Sequence, residues 1–244
     1  MKIIGHRGAA GLALENTLPS IELAKLLGVN AIEFDIRKTS DNKLVICHDA
    51  DLDKVAGQNT KIHSLTLKQL QKITLKDSQS YVPTLQEGLK MADKTPVIIE
   101  IKETGCTQLL LDIVSKFKDL DITIASFKLD ELAKLREQST TIKLYGLERT
   151  KPYDILQYAK DLKLNGVGLN FWMLNPLTYF MAKKYNLSMY VYTVNGRLLG
   201  RFISFLYPNV YICTDHPEWF ISHPYLKIRS ANIWSTTKER KRST

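Results

Sequence analysis

No apolar run in this chain approaches the roughly 18 uncharged residues that cross a bilayer. The stretch from Met1 to His6 is too short to be the apolar region of a signal peptide. The expectation is a cytoplasmic protein without stable membrane insertion. Cysteine is scarce, and Cys47, Cys106 and Cys213 are odd in number, far apart and set in or near apolar runs. That argues against a disulfide framework and for buried free thiols in a reducing compartment. Tandem repeats, low-complexity tracts and clean domain boundaries are missing as well. Acidic charge is also short. Of a net charge of +9, residues 227 to 244 carry +5, with Lys227, Arg229, Lys238, Arg240, Lys241 and Arg242 against Glu239 alone. A basic surface speeds encounter with anionic ligands and permits transient contact with a lipid surface. Residues 227 to 244 have no aromatic residue except Trp234, and no recognised module appears, so nucleic acid is not an expected partner. The terminal charge run reads as a solvated end.

What is present suits one α/β domain: 244 residues, 44% of them hydrophobic. Apolar β-rich runs alternate with helical stretches throughout, the pattern of βα units on a parallel sheet. Strands are expected at 2–5, 31–36, 97–102, 122–126, 142–147, 166–170, 189–194 and 210–213. Helices fall between them at Leu18–Leu27, Thr107–Phe117, Leu129–Gln138, Tyr153–Leu162, Pro176–Tyr185 and Leu198–Leu206. Eight units predict a (β/α)8 TIM-type barrel over residues 1–222, with 223–244 as a basic tail. A ninth candidate, 44–48, follows the turn signal Ser40-Asp41-Asn42-Lys43. Reflection about Asn42 makes it a hairpin return with Ile36 opposite His48 and Asp35 opposite Asp49; the other reading is a barrel strand in its own right. Residues 49–96 are long for a βα connection and read as an insertion over the barrel mouth, with helical stretches at Thr66–Ile73 and Thr84–Ala92.

Two i, i+2 pairs stand out within these runs. Glu33 and Asp35 share one face of one strand, and Glu100 and Lys102 share one face of another. An unpaired buried charge costs several kcal/mol and is tolerated only when paired or metal-bound. Glu33, Asp35 and Glu100 therefore form a candidate hard-cation site, with oxygen ligands that favour Mg²⁺, Ca²⁺ or Mn²⁺ over Zn²⁺. Each pair taken alone could equally be an ion-pair anchor. His6-Arg7-Gly8 and His48-Asp49 close two further apolar runs, where the catalytic groups of α/β proteins lie. Arg7 and Lys102 would supply cations for a phosphate, and His6 and His48 an acid–base pair. Asn16 and Thr17 read first as caps of the helix beginning near Leu18, and second as ligands. His63, His216 and His223 read as structural.

The ordered set Gly5-His6-Arg7-Gly8, Glu15-Asn16-Thr17, Ile32-Glu33-Phe34-Asp35, Val45-Ile46-Cys47-His48-Asp49, Pro83-Thr84-Leu85, Ile99-Glu100-Ile101-Lys102, Ser126-Phe127, Tyr192-Thr193-Val194-Asn195 and Thr214-Asp215-His216-Pro217 resembles the glycerophosphodiester phosphodiesterase family. The resemblance implies a barrel enzyme of lipid and glycerol metabolism. It would hydrolyse small-molecule glycerophosphodiesters such as glycerophosphocholine and glycerophosphoethanolamine to glycerol 3-phosphate and an alcohol. It also implies Mg²⁺ or Ca²⁺ on Glu33, Asp35 and Glu100, acid–base catalysis by His6 and His48, and phosphate binding by Arg7 and Lys102. Leu14 stands where the family has Pro, and Tyr192 where it has Trp, so Tyr192 bears on the shape of the alcohol pocket. The rival on the same barrel is a lysophospholipase D acting at a membrane surface. That rival predicts an exposed apolar patch on the 49–96 insertion, around Val55, Ile62, Leu65 and Leu67. A non-enzymatic phospho-ligand binder would lack one of the metal or acid–base residues, and none is missing.

Overall fold

Ile32, Phe34 and Ile36 point one way from their strand into the main apolar core, while Ala31, Glu33 and Asp35 point the other way, and that alternation places the site. The computed structural model describes residues 1–221. Its strands are β1 (Ile3–Gly5), β2 (Ala31–Lys38), β3 (Leu44–Ile46), β4 (Asp51–Leu52), β5 (Gln58–Lys61), β6 (Val97–Ile101), β7 (Ile122–Ser126), β8 (Lys143–Glu148), β9 (Gly166–Asn170), β10 (Ser188–Tyr192) and β11 (Tyr211–Thr214). The helices are α1 (Leu18–Leu27), α2 (Asp53–Ala56), α3 (Leu67–Leu70), α4 (Leu85–Ala92), α5 (Thr107–Val114), α6 (Leu129–Gln138), α7 (Pro152–Asp161), α8 (Pro176–Lys184) and α9 (Arg197–Leu206).

Parallel pairing runs β1-β11-β10-β9-β8-β7-β6-β2, and the β1–β2 pair closes the ring, giving the expected eight-stranded barrel. Its interior is filled by Ile4, Ala31, Ile98, Ala125, Leu147, Tyr190 and Cys213. The larger apolar core lies between strands and helices. Several helices begin at a side-chain cap. Thr17 accepts from the Ser20 N–H at the start of α1, while Thr84 with Glu87, and Asn175 with Thr178, form reciprocal boxes on α4 and α8. Gly28, at φ 74°, ends α1 in the left-handed conformation that glycine adopts without penalty.

Segment 44–46 is the antiparallel hairpin return and not a ninth barrel strand. Its register corrects the expected reflection, because Ile36 faces Ile46, Arg37 faces Val45 and Lys38 faces Leu44. The mirror centre is Asp41, since the turn closes one residue earlier than assumed. The Thr39 N–H donates to the Lys43 carbonyl at 3.0 Å, the Thr39 hydroxyl donates to Asp41 Oδ1 at 2.7 Å, and Asn42 takes a positive φ of 56°. The slip of two residues keeps every side chain on its expected face, because the strand period is two.

Beyond the hairpin, Val45, Cys47, Leu52, Val55, Ile62, Leu70, Leu75 and Val82 build a small second core, with Leu65 and Leu67 packed against it. The apolar residues of this excursion face inward, and it carries no large exposed hydrophobic side chain. By contrast, α4 buries Leu85, Leu89 and Ala92 in the main core beside α1. All three cysteines are buried free thiols. Among the described residues, no helix is long and apolar enough to cross a membrane. The expected basic tail, 223–244, and His223 lie outside the described residues.

Candidate active site

Strand register alone brings together residues far apart in the chain. Gly5 pairs with both Thr214 and Ile32, so the next residues along, His6, Asp215 and Glu33, emerge side by side at the C-terminal end of the barrel. Asp35 pairs with Glu100 across β2 and β6. Carboxylate oxygens of Glu33, Asp35 and Glu100 all lie within 4.8 Å of one another, and all three residues are buried.

The loop after β1 wraps this cluster. Arg7 turns at φ 52° and donates its backbone N–H to Glu33 Oε2 at 2.9 Å. Gly8 follows at φ 85°, where any Cβ would collide with the Ser20 backbone, so only glycine fits. The Arg7 guanidinium is held by Glu15 at 2.6 Å and stands 3.5 Å from Asp35. Asn16 does not cap α1; Thr17 does. The Asn16 side chain instead grips Asp35 twice, donating to Oδ2 at 2.8 Å and accepting the Asp35 N–H at 3.2 Å. Lys102 Nζ sits between Asp35, at 2.9 Å, and Glu100.

Packing carboxylates together in a buried site drives their affinities for protons apart. Burial, with the Asp35 charge beside it, pushes Glu33 up to about 8. Burial would raise Asp35 too, but Lys102, Arg7 and His48 outweigh it and hold Asp35 down at about 2. Burial and Asp35 raise Glu100 as well, against the pull of Lys102. Glu33 Oε1 is buried without any hydrogen-bond partner. Apart from its ion pair with Lys102, Asp35 Oδ1 likewise has no hydrogen-bond partner, and an all-oxygen trio with such orphaned oxygens suits a hard divalent cation, so these residues fit such an ion.

The two histidines are each held through Nδ1 by an aspartate. His6 Nδ1 lies 2.6 Å from Asp215 Oδ1, and Asp215 is fixed in turn by Asn195, which bonds its side chain and accepts its N–H. His48 Nδ1 lies 2.7 Å from Asp49 Oδ1, while Arg37 holds the His48 carbonyl at 2.8 Å. Their surroundings shift them in opposite directions. Burial would lower His6, but the bond to Asp215 and the charge of Glu33 raise it above the usual imidazole range. For His48, burial together with Lys102 and Arg7 outweighs Asp35 and Asp49, and the ring is lowered.

His6 and His48 line separate hollows that meet at Glu100. The one beside His48, about 330 Å³, is ringed by Arg37, Lys102, Lys128 and Arg149 and suits an anion. Tyr192 stands on the His6 side, edge-on to Phe127 with ring centroids 6.0 Å apart, and its hydroxyl donates to the Glu148 carbonyl at 2.9 Å. A hollow of about 320 Å³ at the other end of the barrel holds Asp121 and Lys143, which satisfy each other at 2.7 Å.

The structure thus gathers every residue proposed from the sequence, namely His6, Arg7, Glu33, Asp35, His48, Glu100, Lys102 and Tyr192. It adds Asp215, Asn195 and Asn16, to which sequence reasoning gave no such role. All three stand in the motifs that carry the family resemblance, and their place at strand ends and in loops at the barrel mouth was the further signal. His216 is structural, stacked on Trp219 at 4.0 Å and bonded to Glu218.

Residues 6–218 match the model of the glycerophosphoryl diester phosphodiesterase family. Over 89% of its length the chain is 26% identical to a Bacillus subtilis glycerophosphodiester phosphodiesterase, of which it covers 84%. A Thermotoga maritima glycerophosphodiester phosphodiesterase superposes with a TM-score of 0.78 at 26% identity, over 90% of this chain and 97% of that one. An Oleispira antarctica phosphodiesterase, solved with its product sn-glycerol-3-phosphate, shares the fold at a TM-score of 0.83 and 21% identity, over 89% and 94%.

Proposed function

The chain belongs to the glycerophosphoryl diester phosphodiesterase family, and from that premise we propose that it hydrolyses glycerophosphodiesters such as glycerophosphocholine and glycerophosphoethanolamine to glycerol 3-phosphate and the free alcohol. The observation that carries the reading is the pair of aspartate-held imidazoles, shifted in opposite directions, around one buried carboxylate trio. Glu33, Asp35 and Glu100 would hold Mg²⁺ or Ca²⁺, with Mn²⁺ also admitted by the all-oxygen set. When bound, the ion supplies charge stabilisation at a phosphoryl oxygen.

The residues of the chain do the rest. His48, lowered and so neutral near pH 7, takes the proton from the attacking oxygen. His6, which Asp215 and Glu33 shift toward the protonated form, delivers one to the leaving alcohol. Asp49 and Asp215 keep each Nδ1 engaged, which leaves Nε2 free for the transfer. Lys102 and Arg7 counter the phosphate charge from the Asp35 side, and the basic hollow beside His48 draws the anion in. Tyr192 and Phe127 form an aromatic wall for the alcohol.

The test is release of glycerol 3-phosphate from glycerophosphocholine by the wild type with Mg²⁺, Ca²⁺, Mn²⁺ or EDTA, beside His48→Ala and Glu100→Ala. Metal-dependent release abolished by EDTA and by both substitutions is expected. A folded, metal-loaded protein that releases nothing would overturn the substrate assignment.

A further inference from the structure

Residues 162 to 214 contain no aspartate or glutamate, while Lys163, Lys183, Lys184, Arg197 and Arg201 make the stretch strongly basic. It builds one side of the barrel, from β9 through α8, β10 and α9 to β11. Among the described residues, the same stretch carries most of the exposed large apolar side chains, with Trp172 at 76%, Leu177 at 57%, Phe180 at 62%, Leu198 at 81%, Phe202 at 60% and Phe205 at 83%. On α9, Leu198, Phe202 and Phe205 recur at i, i+4 and i+7 and form a stripe, while Gly200 and Ile203 face the core. A helix of an outer ring ordinarily presents polar residues to water, so a second apolar face marks an interaction surface. Beneath the surface, the core residue Tyr179 of α8 and Tyr207 beyond α9 touch at 5.1 Å between ring centroids, so the two helices are neighbours on the flank.

Position ties this face to the site. Trp172 follows the C-terminal end of β9, and Leu198 follows that of β10, the end of the barrel where the carboxylates lie. The patch therefore starts at the rim of the mouth and runs down the flank.

Charge selects its occupant. A second copy docked by a two-fold axis would bring these cations against one another with no acid to pair them. The chain's own residues 222–244 carry the same sign. An anionic lipid surface supplies both complements, an apolar layer for Trp, Phe and Leu and negative headgroups for Lys and Arg. We propose that the α8–α9 face docks the barrel on an anionic bilayer surface, with the active-site mouth at the membrane. This docking stands apart from the identity of the hydrolysed diester.

The test is sedimentation of the full chain with phosphatidylcholine vesicles, with and without phosphatidylglycerol, at about 0.15 M salt. The wild type, the double variant Phe202→Ser/Phe205→Ser and the double variant Arg197→Gln/Arg201→Gln are compared. Circular dichroism and the melting temperature verify that each is folded. We expect binding to the anionic vesicles above that to the neutral ones. Loss of the two phenylalanines should weaken it about tenfold or more, and loss of the two arginines should remove the preference for anionic lipid. The proposal is overturned by a wild type that stays in the supernatant. It is overturned equally by folded variants that bind as the wild type does, which would assign binding to another basic segment. A dimer in solution that the phenylalanine substitutions dissociate would give the face to a second copy instead.

Discussion

His6 and Asp215 are 209 residues apart in the chain, yet His6 Nδ1 and Asp215 Oδ1 lie 2.6 Å from each other because Gly5 and Thr214 are register partners on adjacent strands. The pair is backed by Asn195, and the imidazole it raises sits within reach of Glu33. Its counterpart, His48 on Asp49, is exposed more and lowered.

A bell-shaped pH profile follows from those opposite shifts. The acid limb of kcat/KM should report His48 and lie below the ordinary imidazole range, because the base works only when neutral. The basic limb should report His6 and lie above that range, because the acid works only when protonated. Rates from about pH 5 to 10 would show it, and two limbs that both lie below the ordinary imidazole value would contradict the assignment.

Asp215→Asn removes the charge that raises His6 while keeping a side chain of the same size. The His6 proton is then lost at lower pH, so the basic limb should move down, with kcat falling by about 10²-fold and KM nearly constant. A merely structural role for Asp215 would lower kcat without moving the limb.

Glu33 makes the metal-free protein sensitive to alkali. Its folded pKa, about 8, lies above the ordinary value of 4.5, so between those values the native state binds more protons than the unfolded chain. Stability in EDTA should therefore fall as pH rises through that window, by on the order of a few kcal/mol. Mg²⁺ should restore it at pH 8 by binding the native carboxylates. Glu33→Gln should flatten the slope, and thermal melting at pH 5 and pH 8 with and without metal would read all three effects; an equal slope in Glu33→Gln would locate the titration elsewhere.

Asn16→Ala takes both hydrogen bonds from Asp35 while leaving the α1 cap on Thr17 intact. Metal affinity, read by titration calorimetry, should drop about 10- to 100-fold, as for other residues that orient a ligand. Unchanged affinity would mean that Lys102 and Arg7 suffice to hold the carboxylate.

Much of the site was legible because strand alternation is local. Glu33 with Asp35, and Glu100 with Lys102, had to share faces whatever the rest of the chain did, and β-rich runs around charged residues already placed those charges inside. Thr17 announced its helix for the same reason, since a cap needs only its own next few residues. The hairpin was harder. Its length was visible, but its register depended on the Thr39 hydroxyl and on Asn42 adopting a positive φ, and a symmetric reflection missed both. The exposed stripe of α9 was equally hidden, because Leu198, Phe202 and Phe205 look like core until the barrel shows that Gly200 and Ile203 face inward. The rival lysophospholipase reading called for an apolar patch on 49–96, but Val55, Ile62, Leu65 and Leu67 belong to a second core there.

Neighbouring residues alone carry the alternation of strands and helices, the inward carboxylates and the two strand-end histidines. It took the assembled barrel to bring Asp215 to His6, Asn16 to Asp35, and Lys102 between Asp35 and Glu100. The first two contacts arise when β1 closes the ring between β11 and β2 and the third when β2 pairs with β6, and no local pattern specifies which strands pair.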